Sequence, residues 1–176
     1  MTDYSADNSV FAEIRGRKSI FDINEPMFDR AFGKQVDIVS MLKAYGIPGK
    51  HLSNLNGRIH EVSKDCLKNF GRDEPEKQME KSGYNTGSDI YMDKALSAPN
   101  YLMVLMHELF HFVTPDQAEA QVGSVRTIRN LKEYAKANGK EIDVLGRKYD
   151  VPTLDRALKS AIETGKRFPG FNPSMN

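Results

Sequence analysis

An α+β fold, helix-dominated and with a small sheet beside one central helix, is what three features of the sequence predict. Helix-compatible apolar spacing recurs along the chain, while strand-like runs are few and short. The third feature is the run from Tyr101 to Val113, YLMVLMHELFHFV, apolar on every side except at His107, Glu108 and His111. A helix that is hydrophobic all round is a buried helix. The 176 residues are most simply one domain, 1–176, large enough for a core without metal or disulfide staples.

Taken in order, about the first eight residues have few apolar anchors and are expected to be disordered. Phe28 to Tyr45 places Phe28, Phe32, Val36, Val39, Leu42 and Tyr45 at helical spacing, and Gly46 and Pro48 close it. Asn56-Gly57 signals a turn, and Arg58 to Val62 reads as a strand. Gly71 to Ser88 is charged and contains proline and glycine, the composition of a long loop. Ser88 to Met92 reads as a short strand feeding the apolar helix. That helix has Ser97 as its cap and Pro99 in its first turn, and Thr114-Pro115 stops it. Its roughly 16 residues span about 24 Å. A second helix is expected to start at once, with Thr114 as N-cap, Pro115 at the first position and Gln117 completing a capping box. Ile128 to Ala137 continues helical until Asn138-Gly139. Thr153 to Lys166 forms a last amphipathic helix with Leu154, Ala157, Leu158, Ala161 and Ile162 on one face, and Phe168 to Asn176 is irregular.

Composition narrows the function classes. Lys and Arg number 25 against 24 Asp and Glu, and a net charge of +1 argues against a nucleic-acid or membrane-surface role. The single cysteine, Cys66, excludes an internal disulfide framework and suits a reducing compartment. No N-terminal charged-then-apolar signal is present, and no apolar run approaches the ~18 residues of a membrane span. The expectation is a soluble protein, cytoplasmic or delivered into a host cell without a conventional signal peptide. Oligomeric state is not legible.

His107-Glu108-Leu109-Phe110-His111 carries the chemistry. Two histidines four apart on a helix project from one face about one turn apart, the separation at which two imidazoles share a tetrahedral zinc. Glu108 can face a water on that ion without ligating it and can take its proton as general base. An ionised glutamate in a buried helix costs several kcal/mol unless paired or beside a metal, so the trio asks for a compensating partner. A catalytic zinc needs a third protein ligand. A sharp turn into the second helix would bring Glu119, one turn in, back past the metal. Asp116 competes, although an acid in a first turn is also what the helix dipole favours. His60 and His51 are remoter candidates, and His60 alternates with Ile59 and Val62 as a surface or edge residue would. An extended peptide substrate is expected to add a strand alongside Ile90–Met92, read as an edge.

Small strands leading into an apolar His-Glu-x-x-His helix, then a Glu-bearing helix, resemble the zincin metallopeptidases with a glutamate third ligand. The run Asn85-Thr86-Gly87-Ser88-Asp89-Ile90-Tyr91, then HELFH, then Glu119-Ala120-Gln121-Val122-Gly123, looks more narrowly like the compact NleD-like effector peptidases that bacterial pathogens inject into host cells. The resemblance covers about residues 83–130. It implies a minimal zincin-like domain and a zinc-dependent endopeptidase acting on a protein or peptide substrate, as an effector or toxin. It also implies Zn²⁺ on His107, His111 and Glu119, with Glu108 catalytic. By the same resemblance a downstream Arg or Tyr steadies the oxyanion, with Arg147 and Tyr149 as candidates. The alternative is a zincin fold without activity, or a structural zinc closed by a fourth ligand such as Asp116, acting as a binding module.

Overall fold

The computed structural model describes residues 37–70, 81–137, 139 and 141–172. The stretch at 1–8, the first part of the helix expected from Phe28, residues 71–80 of the expected loop, Asn138 and the last four residues lie outside the described residues. Among the described residues the chain is mixed α+β, with helices predominating over two small sheets.

Helix α1 (Ile38–Ala44) starts at Asp37, whose carboxylate accepts from the amides of Val39 and Ser40. Gly46, at φ 104°, turns the chain into the short α2 (Gly49–Leu52). A 3₁₀ turn over Leu55–Arg58 leads into β1 (Ile59–Val62), and Ser63 caps the one-turn α3 (Lys64–Leu67). Strands β2 (Gly83–Asn85) and β3 (Ile90–Asp93) follow. The sheet order is β1-β3-β2, with β1 parallel and β2 antiparallel to β3. Two expectations are corrected here. β3 is the central strand and not an edge, so Ile90–Met92 has no free side for a substrate strand. And β2 lies inside the expected loop, because three residues led by a glycine carry no period-two signal.

Alternation along β3 buries Ile90 and Met92 on one face. Tyr91 pairs with His60 on β1 and Tyr84 on β2, so these three share the opposite face. A side chain on Gly83 would meet Val104 Cγ1 at 2.8 Å, Glu108 Cγ at 3.1 Å and Met92 Sδ at 3.3 Å. The bare glycine is what lets β2 lie against the next helix.

That helix, α4 (Ala98–Phe110), buries every residue from Tyr101 to Phe110. It packs against β2 and β3 and against α5 (Gln117–Ala137) and α6 (Val151–Gly165). Each fully buried side chain such as Leu102, Met106 or Leu109 contributes roughly 1.5–3 kcal/mol over its exposed state. α4 ends three residues before the expected Val113. The amides of His111, Phe112 and Val113 bond to carbonyls three residues back, tightening the chain into a turn. α5 likewise starts two residues after the expected Pro115. Asp116 does the capping, with its Oδ1 accepting from Ala118 N at 2.9 Å, while Thr114 Oγ1 accepts from Asp116 N at 3.1 Å. Between α5 and α6 an unanticipated hairpin, β4 (Glu141–Val144) and β5 (Arg147–Asp150), turns at Leu145 and Gly146 with φ of 53° and 87°. Positive φ at both central residues is the requirement of a type I′ turn, and leucine is a poor sequence signal for it.

Gly123 fixes how closely α5 approaches α4: a Cβ there would lie 2.5–2.8 Å from three ring atoms of Phe110. Gly123→Ala gains up to ~1 kcal/mol of helix propensity. Phe110 is 1% exposed and has nowhere to swing, so the clash outweighs that gain. The expected result in urea denaturation is a net loss of about 1–3 kcal/mol. Unchanged or raised stability would contradict this packing. Among the described residues, no helix is long and apolar enough to cross a membrane.

Candidate metal centre

His107 and His111 lie one turn apart at the C-terminal end of α4, on the face turned to the start of α5. His107 is 7% exposed, and Glu108, the next residue round the helix, 8%. The ligand atoms of His107, Glu108 and His111 lie within 4.8 Å of one another. The three are thus together, as the spacing predicts.

At His107 both ring nitrogens lie 2.7 Å from a glutamine Oε1, and the fixed orientation of one of these glutamines assigns the proton. Gln121 on α5 is fully buried, and its amide NH₂ donates to the Ala161 carbonyl on α6 at 2.8 Å. That orientation turns Gln121 Oε1 toward His107, whose Nδ1–H donates to it at 2.7 Å. Burial, with a smaller contribution from His111, pushes the His107 pKa down to about 4, so at neutral pH the ring holds one proton and that proton is on Nδ1. The Thr114 carbonyl likewise holds His111 Nδ1–H at 2.9 Å, a tautomer in which Nε2 is the nitrogen with the free lone pair. Both Nε2 atoms therefore present lone pairs. They converge on one atom, Gln117 Oε1, at 2.7 Å from His107 and 3.1 Å from His111. Oxygen acceptors holding Nδ1–H while Nε2 points inward is the arrangement that orients metal-ligating histidines. Two imidazole nitrogens with nearby oxygen donors suit first-row divalent metals such as zinc, copper, iron and nickel.

Neither glutamine is a ligand candidate on charge or motif, and Gln117, expected to complete a capping box, instead faces the two histidines. A signal exists nonetheless. Gln117, Gln121 and Ser124 fall at i, i+4 and i+7, and Ser124 Oγ donates to the Met103 carbonyl at 2.9 Å. Polar residues recurring on the packed face of a helix need partners, and here the partners are on α4, the turn after it and α6.

The remaining candidates lie elsewhere. Glu119 is exposed, and its Oε2 accepts from the Thr114 hydroxyl at 3.1 Å; the structure does not bring it to the two Nε2 atoms. Asp116 is exposed and occupied as the α5 cap. His51 stacks on Phe112 at 4.3 Å, and His60 stacks on Tyr91 at 4.8 Å with Nε2 on Asp89 at 2.7 Å, on the sheet face away from α4. Arg147 pairs with Glu61 and lies 3.8 Å over the ring of Tyr101. Tyr101 precedes His107 by six residues, about 9 Å along the helix, so Arg147 sits at the far end of α4. Tyr149 is buried beside this group, its pKa raised by burial. Phe168, just past α6, stacks on the His107 ring at 5.7 Å and forms an apolar wall there.

The chain matches no protein-family model, no curated protein and no solved structure.

Proposed function

We propose that this chain is a zinc-dependent peptidase in which His107 and His111 hold the ion and Glu108 is the general base. The observation that carries the reading is the convergence of two Nε2 atoms on one point, each ring held by an oxygen at its Nδ1. When bound, zinc supplies Lewis acidity, lowering the pKa of a water toward neutrality and polarising a carbonyl. The Glu108 carboxylate accepts the proton that the attacking water gives up and passes it to the leaving amine. Gln121 and the Thr114 carbonyl keep both imidazoles in the ligating tautomer through the cycle. Phe168 shields His107 from solvent, which strengthens the electrostatics of the site. β2, whose Gly83 lies beside Glu108, is the edge strand on this side of the sheet among the described strands, and it takes the substrate-pairing role that β3 is not placed to fill.

A second reading is favoured by one observation. With its amide turned the other way, Gln117 would donate to both Nε2 atoms and complete a closed polar network, the interior of a binding module without catalysis. Peptide cleavage separates the two. The zinc-loaded full chain, incubated with a diverse peptide mixture, is expected to generate new termini detectable by mass spectrometry. Cleavage should stop with a chelator or a hydroxamate and return with added zinc. A zinc-loaded chain that cleaves nothing would favour the binding module.

A further inference from the structure

We infer that Gln117, not Glu119, supplies the third protein donor to the metal, through its side-chain carbonyl oxygen. This rests on the reading of His107 and His111 as ligands. Gln117 Oε1 is the atom on which both Nε2 atoms converge, at 2.7 and 3.1 Å. With bonds of about 2.0–2.1 Å, neighbouring donors on a tetrahedral zinc stand ~3.3 Å apart. The two Nε2–Oε1 distances thus need to open by about 0.6 and 0.2 Å to reach that spacing, a change within the freedom of one glutamine side chain at the first position of a helix.

Glu119 is placed for a different task. It lies two residues after Gln117, about 200° round the helix from it. Gln117, Gln121 and Ser124 turn toward α4, whereas Glu119 is exposed and accepts from the Thr114 hydroxyl. That bond steadies the turn whose Thr114 carbonyl holds His111 Nδ1–H. Glu119 therefore positions a ligand from outside the site.

The difference is chemical as well as geometric. A carboxamide is a neutral donor, so two imidazoles and Gln117 leave the full +2 charge of the ion uncompensated by the protein ligands. A glutamate in that place would cancel one unit. The neutral set makes the ion the stronger Lewis acid and leaves Glu108 as the one carboxylate in the group of candidate ligands.

Zinc affinity of the full-length chain, measured by competition with a chromophoric chelator, tests this without recourse to activity. Cobalt substitution adds a spectroscopic readout of coordination. Gln117→Ala is expected to bind zinc at least ~100-fold more weakly, beyond the roughly 10–100-fold typical of losing an outer partner. Gln117→Glu and Gln117→His, which offer a ligand from the same position, should restore binding and shift the cobalt bands. Glu119→Ala, which removes only a bond to Thr114, should lose less affinity than Gln117→Ala, with unchanged cobalt bands. Wild-type affinity in Gln117→Ala, or a larger loss in Glu119→Ala, would overturn the assignment while leaving the metal site in place. Failure of Glu and His to rescue a Gln117→Ala variant that circular dichroism shows to be folded would overturn it too. Absence of zinc binding in the wild type would remove the metal reading itself.

Discussion

Glu108→Gln is expected to take up zinc as the wild type does and to lose peptide hydrolysis by about two to four orders of magnitude, the range that a positioned general base contributes. The substitution keeps shape and removes the ability to accept a proton. Glu108 sits one residue after His107, turned toward β2, where its Cγ lies 3.1 Å from where a Gly83 side chain would begin. The backbone there is fixed as well. Asn85 Nδ2 donates to the Glu108 carbonyl at 2.7 Å, and Asn85 Oδ1 accepts from Gly87 N at 2.7 Å, tying the β2–β3 loop to the helix turn. A glutamine in this setting has little room to move. kcat should fall with zinc affinity preserved. A variant that kept its activity would remove Glu108 as the base, and one that lost zinc would make it a ligand.

The metal-free protein is expected to lose on the order of 3 kcal/mol of stability as pH falls from about 6.5 to about 4, from His107 alone. The folded-state pKa of about 4 lies below the ordinary value of 6.5, so in this window the unfolded chain binds more protons than the folded one. This contribution is therefore complete above about 6.5 and lost as pH falls through the folded pKa. Its main cause is burial: charging the ring would place a cation in a site that is 7% exposed. Urea unfolding in a chelator at a series of pH values reads it out, with His107→Gln for comparison. The variant starts from a lower stability but should show a flatter pH dependence across the window. Equal slopes in both would contradict a neutral, buried His107. Zinc should steepen the wild-type slope, since protons and metal compete for the same Nε2 atoms.

The parts of this architecture that were legible in the sequence are those where periodicity or a strong stop signal carries the information. The α4 segment is apolar on all sides, and its burial follows from that. Leu154, Ala157 and Ala161 give α6 its buried face. Gly46 and Pro48 mark the end of α1. The elements that were not legible are short or depend on partners remote in sequence. β2 is three residues long, and its glycine matters only because Val104 and Glu108 lie beneath it. The β4–β5 hairpin turns on a leucine at positive φ. The start of α5 moved to Gln117 because Asp116 competes with Thr114 for the cap, and propensity alone does not rank the two.

The candidate site divides in the same way. His107, Glu108 and His111 follow from spacing along one helix. The proposed third donor does not, because it depends on the angle at which α5 leaves the turn. Starting the helix at Gln117 presents Gln117 and Gln121 to the histidines and turns Glu119 outward. Acidic residues draw attention as metal ligands, whereas an amide at the first position of a helix is ordinarily read as surface. Its significance appears only with Gln121 beside it and the Nδ1–H of each histidine already assigned.

Zinc content is the measurement that bears most directly on the centre. The full-length chain and His111→Ala would be purified in parallel, reconstituted with excess zinc, desalted and analysed by elemental mass spectrometry. If His107 and His111 hold the ion, the wild-type chain carries about one zinc and the variant almost none, with circular dichroism showing both folded. Wild type without zinc after reconstitution, or His111→Ala with as much as wild type, would contradict this assignment and leave the two histidines as parts of a buried hydrogen-bond network.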